Sequence, residues 1–373
     1  MKKILATVLA LVMALALCTT SWADGVKPIT AEMTGLDTGS YELTGDVTLT
    51  AGALTVKSGA IVTLDLGTFT LTNKAGEHTI VNNGTLTITG TGTVDNVSHA
   101  RAALFNNEGA TAVLNGGSFT RSQENGKTKE DSGNNSFYTI QNLGTMTINA
   151  GVSVTQNGCF SSMVANGYYN GTGKTNTPTM IINGGTFSGG LNTVKNDDCG
   201  VMTINGGEFK NFAQACVQNH NKLTITNGNF DGSELKAIAD STVSVIYNCG
   251  CGADNDKGML SISGGTFSGG KEETYVICDV STVSEAYTDI SGGTFTKGSA
   301  TMIGKTASAK VAISGGAFKD AAGKAVDVSA YLAAGKQQNS DGSVGNKSYY
   351  YYPSTSDTTT STTTKGSPKT FDA

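Results

Sequence analysis

Apolar residues two apart recur along this chain in short runs, such as Leu86 and Ile88, Met202 and Ile204, or Leu260 and Ile262. A period of two marks a strand with one buried face. Each run leads into a glycine-rich phrase. The series reads "LTITGTGTV" (86–94), "AVLNGGSF" (112–119), "MTINAGVSV" (146–154), "MIINGGTF" (180–187) and "MTINGGEF" (202–209). It continues with "LTITNGNF" (223–230), "LSISGGTF" (260–267), "TDISGGTF" (288–295) and "VAISGGAF" (311–318). The Gly-Gly pair allows positive φ or close backbone approach at a corner, and Phe or its substitute restarts burial on the next strand. The interval between phrases is too short for a strand–helix–strand unit with a full helix. It suits one turn of a solenoid.

A second register runs in parallel. An apolar residue, any residue and then Asn recur as "IVN", "LFN", "IQN", "VAN", "VKN", "VQN" and "IYN", ending at Asn82, Asn106, Asn142, Asn166, Asn196, Asn219 and Asn248. "ICD" places Asp279 in the same frame, and "MIG" closes the series at Gly304. Asn, Asp and Gly enter the left-handed region most readily, so the frame predicts a second corner in each coil. Stacked there, the side chains are expected to hydrogen-bond along the axis as a ladder.

Three segments carry a family resemblance: the entry "YELTGDVTLTAGALTVKSGAIVTLDLGTFTLTN" (41–73), the Ile-x-Gly-Gly-Thr-Phe coils, and the ending "DVSAYLAAGKQQNSDGSVG" (327–345). Together they resemble the right-handed parallel β-helix, or pectin-lyase-like, superfamily. More narrowly, they are similar to repeat proteins secreted by or displayed on Gram-positive, often gut-dwelling, bacteria. The resemblance implies an all-β solenoid of about ten coils over residues 24–345. It says little of activity, because the fold hosts lyases, hydrolases, adhesins and inert stalks. Solenoid ends expose strand edges that need cover. At the far end, 327–335 reads as a short capping helix with Asp327 or Ser329 as N-cap and Gly335 just past its end. Two polar insertions, 121–135 with Arg121, Lys127 and Lys129, and 166–179 with Tyr168 and Tyr169, are the candidate binding loops.

Composition bounds the rest. Lys2 and Lys3, an apolar run from Ile4 to Leu17, and Ser21-Trp22-Ala23 form a secretory signal over 1–23. Removing it takes the formal charge from −5 to −7, which argues against nucleic acid as a partner. No later apolar run could span a bilayer. The six cysteines beyond the signal permit disulfides but fit buried thiols equally well. Residues 346–365 read as a Tyr- then Ser/Thr-rich flexible linker. In 366–373, Pro368-Lys369-Thr370 resembles the Pro-x-Thr core of a sortase-type wall-sorting signal, with Ser367 and Phe371 departing from its pattern. The protein is therefore expected to be secreted or displayed at the cell surface, with covalent wall attachment as one route.

One constellation carries candidate chemistry. Asp197 and Asp198 are adjacent, and His220 lies one coil later in the Asn frame. Polygalacturonase-type hydrolases of this fold use a similar Asp-Asp-Cys stretch and a His on the next coil, where paired carboxylates protonate the glycosidic oxygen and activate water. Here Asn219 and Asn221 replace the glycines beside the His, and the Arg-x-Lys that binds uronate has no counterpart. Asp254 and Asp256 in "ADNDKG" weakly match a calcium loop without its later bidentate Glu. No other metal and no cofactor is expected. The leading expectation is a non-enzymatic adhesin or structural stalk whose partners are host or plant glycans or a surface protein. The alternative is hydrolysis by Asp197, Asp198 and His220.

Overall fold

The computed structural model describes residues 25–126, 137–238, 240–252 and 255–348. The signal, the linker beyond residue 348, the sorting motif, Lys127, Lys129 and Asp254 lie outside the described residues. The chain winds through three parallel sheets in rotation, and after the opening strand Lys27–Pro28, which pairs with Gly39–Glu42, each coil strand pairs with the third one along. Twelve strands, from Lys27–Pro28 to Val311–Ile313, form the Ile sheet; eleven, from Val47–Leu49 to Ala317–Asp320, form the Phe sheet; eleven, from Gly35–Leu36 to Thr301–Lys305, form the Asn sheet. This is a right-handed parallel β-helix of eleven coils, about 50 Å long at the usual inter-strand spacing.

The period-two residues face inward and stack by kind. Ile182, Ile204, Ile225, Ile262, Ile290 and Ile313 follow one another in register on the Ile sheet. On the Phe sheet, Phe187, Phe209, Phe230, Phe267, Phe295 and Phe318 form a pile of near-parallel rings with centroids 4.6–4.8 Å apart. The sheet spacing itself sets that separation. Each ring is essentially fully buried, which stabilises the fold by about 2–3 kcal/mol per side chain.

The two glycines of each late phrase do different jobs. A Cβ on Gly264, Gly292 or Gly315 would lie 2.2 Å from the carbonyl oxygen of Thr226, Ser263 or Ser291 in the coil before. The following glycines, Gly265, Gly293 and Gly316, have φ near +100°. The first is required by space and the second by conformation.

The ladder forms, though for a different reason from the one the sequence suggested. None of its eight members has positive φ; each ends a strand of the Asn sheet. Asn82 lies two residues beyond Ile80, so alternation alone points it inward, and all eight side chains are fully buried. Nδ2 of each Asn donates to the next member's side-chain oxygen, at 2.7 Å from Asn82 to Asn106 and 3.1 Å from Asn248 to Asp279. The same Nδ2 also donates to a backbone carbonyl that starts an Ile-sheet strand, as from Asn106 to Thr145 O at 3.1 Å. The amides thus pin the corner between two sheets.

Both ends are covered. Lys27–Pro28 forms a two-residue edge strand in which Pro28 offers no N–H. At the other end the cap is smaller than the nine-residue helix expected: a single 3-10 turn, Ser329–Tyr331, with Val328 at the N-cap position. Asp327 Oδ1 accepts from Ser329 N at 2.9 Å, and Gly335 has φ +76°. A hairpin of Lys336–Gln338 and Val344–Asn346 completes it. Leu332 and Val344 pack onto the last coil, where backbone bonds from Ala333 to Ile313 and from Val344 to Gly316 close the edge. No helix among the described residues is long and apolar enough to cross a membrane.

Candidate functional site

The outer face of the Asn sheet carries the residue between each buried pair. Gln141, Ala165, Lys195 and Gln218 stand there in register on successive coils. Ala165 is short between longer neighbours, so the surface dips. Loops raise walls around the dip: Phe137 and Tyr138 enter from one side, Phe160 from the preceding connection, and Tyr169 from the 166–179 insertion. The result is a groove of about 580 Å³. Tyr169 is 82% exposed, unusual for a large ring. Below it, Asn192 Nδ2 donates to Ser162 Oγ, Gln214 Oε1 and Gln218 Oε1 at 3.1, 3.2 and 2.8 Å, while its buried Oδ1 has no hydrogen-bond partner.

At the edge of this groove the expected constellation assembles. Asp197, Asp198 and His220 each offer one ligand-type atom, all within 4.8 Å of one another. The Asn ladder causes this, because Asn196 and Asn219 are in register and fix the residues that follow them. Asp197 is 1% exposed; its Oδ2 pairs with Lys195 Nζ at 3.0 Å and receives the Tyr138 hydroxyl at 3.4 Å. Burial, then the Asp197 charge, push the Tyr138 hydroxyl well above its usual range. Asp198 Oδ2 accepts from Gly171 N at 2.9 Å. Burial raises the Asp198 carboxyl from its ordinary value against that bond. His220 Nδ1 faces Asp256 Oδ2 at 3.5 Å, and Nε2 is buried with no hydrogen-bond partner. An unmade bond of this kind costs about 1–3 kcal/mol.

The described residues of the two insertions, 121–126 and 166–179, are more firmly held than their composition suggested. Tyr168 is buried: its hydroxyl donates to Glu108 Oε1 at 2.6 Å and its backbone pairs with Asp198. Only Tyr169 presents a ring to solvent from this loop. Arg121, read in sequence as a loop cation open to a ligand, is fully buried and pairs with the equally buried Glu124 at 2.7 Å. Desolvation drives the two in opposite directions, the Glu124 carboxyl up and the Arg121 guanidinium down. Asp256 is buried; its Oδ2 accepts from Gly252 N at 2.9 Å and Cys251 N at 3.3 Å, while Oδ1 has no partner. Cys199, Cys216, Cys249 and Cys278 are buried thiols and Cys251 is an exposed one.

Sequence reasoning missed Phe137, Tyr138, Phe160, Asn192 and Lys195 as a group. Lys195 had a signal, being the middle residue of "VKN" and therefore outward-facing; the missed rings come from two separate connections. No protein-family model matches this chain, and neither the curated proteins nor the solved structures yield a match.

Proposed function

We propose that the protein is a secreted or surface-displayed β-helical rod that binds glycans on its Asn-sheet face without cleaving them. The observation that carries this reading is the groove: exposed and half-buried rings beside a row of amides. Sugar rings present apolar C–H faces that lie on aromatic rings, and hydroxyls that exchange hydrogen bonds with Gln and Asn amides. Lys195 is already paired with Asp197, so among the described residues the groove offers no spare cation and favours neutral sugars over uronates. Host or plant glycans fit that chemistry. The signal over 1–23 supports export, and Pro368-Lys369-Thr370 supports attachment to a cell wall of the Gram-positive type.

A second reading, hydrolysis, is favoured by one observation, the convergence of Asp197, Asp198 and His220. Against it, Asp197 is buried in an ion pair, and Asp198 is held by a loop amide. The test is retention and reducing-end release by the full chain on neutral pectic, mucin and plant-wall glycans. Retention without release is expected, weakened about tenfold in Tyr169→Ala. Release that disappears in Asp198→Asn would establish the hydrolase, and no retention on any glycan would overturn the binding reading.

A further inference from the structure

The groove leaves the acid–imidazole cluster at its edge without a role. Each carboxylate there is held by one oxygen: Asp197 Oδ2 by Lys195 and Tyr138, Asp198 Oδ2 by Gly171 N. Among the described residues, Oδ1 of each accepts no hydrogen bond. His220 is fixed through Nδ1 by Asp256, and Nε2 has no partner although it is buried. A carboxylate that takes the proton of one imidazole nitrogen sets the tautomer, leaving the other nitrogen's lone pair free to ligate. That is the outer-partner arrangement that orients metal-binding histidines. The cluster's charge also favours a cation: Asp197, Asp198 and Asp256 surround the imidazole, with Lys195 as the paired base.

We propose that Asp197, Asp198 and His220 bind one divalent transition-metal ion of the zinc class, with Asp256 orienting the imidazole. The donor set decides the class of ion. Two carboxylates and one imidazole give a three-ligand site with an open position, as zinc-class ions accept. Calcium wants six to eight oxygens, and the imidazole among the three donors suits zinc-class ions better than the all-oxygen shell that magnesium prefers. The proposed ligands Asp197, Asp198 and His220 all lie outside 253–258, so this is not the calcium loop suggested there. Asp256 serves here as a positioning residue instead.

The experiment uses the full chain, stripped with a chelator and free of glycan, titrated with Zn2+ by calorimetry and with Co2+ by visible absorption. One equivalent is expected to bind, with cobalt bands typical of oxygen and nitrogen ligands. Asp256→Asn is expected to weaken binding roughly 10–100-fold, and His220→Gln and Asp198→Asn by more than that. His99→Gln, on an exposed turn, should leave it unchanged. Asp198→Asn keeps an acceptor for Gly171 N, and far-UV circular dichroism reports whether each variant retains its sheets. Absence of a one-to-one site, or unchanged affinity in His220→Gln, overturns the proposal. So does an ion lost in Cys251→Ser with sulfur-to-cobalt charge transfer, which would place it on the thiols. Because no sugar is present, failure here is separable from failure of the glycan reading.

Discussion

Two columns of asparagine run along this rod, one inside and one outside. The inner column, from Asn82 to Asp279, is fully buried. The outer one links Asn115, Asn149, Asn183 and Asn205 through side-chain bonds of 2.7, 3.0 and 3.0 Å on the exposed side of the Gly-Gly corner, and Thr226 continues it. The amides and their spacing are nearly the same, but the surroundings differ. Inside, every Nδ2 also serves a backbone carbonyl, and a carbonyl can accept only from the nitrogen side. The inner amides therefore all point one way. Outside, each amide meets only another side chain, and water stands in for any bond that breaks. Geometry alone thus says little about what a hydrogen-bonded ladder contributes; burial and the backbone partner decide it.

The largest expected effect is at Asn196→Ala. It strips Asn219 Oδ1 of its donor and Gly200 and Lys222 of an amide partner in a fully buried site. A loss of about 3 kcal/mol or more is expected in urea denaturation; a loss below about 1 kcal/mol would erase the distinction between the columns. Asp279→Asn tests the inner column's direction. Asp279 accepts from Asn248 Nδ2, Thr288 Oγ1 and Ser281 N and donates to nothing. An amide there must turn an N–H toward one of these donors, at a cost of about 1–2 kcal/mol in the same assay. Equal stability would mean that the column's end is indifferent to polarity. Asn183→Ala, outside, is expected to stay within about 0.5 kcal/mol of the parent, and a larger loss would show the exposed column holding coils together.

Much of this was legible in the residues. Period-two alternation in Met202 and Ile204, followed by Gly206-Gly207 and Phe209, specifies strand, corner and core plug. The Asn frame specifies a ladder; the error lay in assigning those residues to left-handed corners when alternation already turned them inward. The outer column was missed although Asn115, Asn149, Asn183 and Asn205 occupy one position of the phrase, because an exposed Asn beside glycine is ordinary turn chemistry. Asp197, Asp198 and His220 could be brought together by counting from Asn196 and Asn219. Their environment could not: the ion pair with Lys195 and the restraint by Gly171 depend on loop paths that the repeat does not encode. The burial of Arg121 was hidden for the same reason. Its partner Glu124 lies three residues on, in a stretch whose composition reads as solvated.

The one-way inner column also bears on how such a protein can change its length. A copy of any interior coil bearing Asn, inserted between Asn82 and Asn248, receives a bond from the coil before and passes one to the coil after. The sequence of bonds stays unbroken however many copies are added. A copy of the Asp279 coil in the middle would stop the chain of donors there and leave the next Asn oxygen without a donor. The ladder position after Asp279 is held not by Gly304, as the frame suggested, but by Lys305, whose amine bonds the backbone carbonyls of Thr306 and Ala309 and needs nothing from the column. The rod thus has a region where lengthening by duplication is nearly free of conflict, and a terminus that tolerates none.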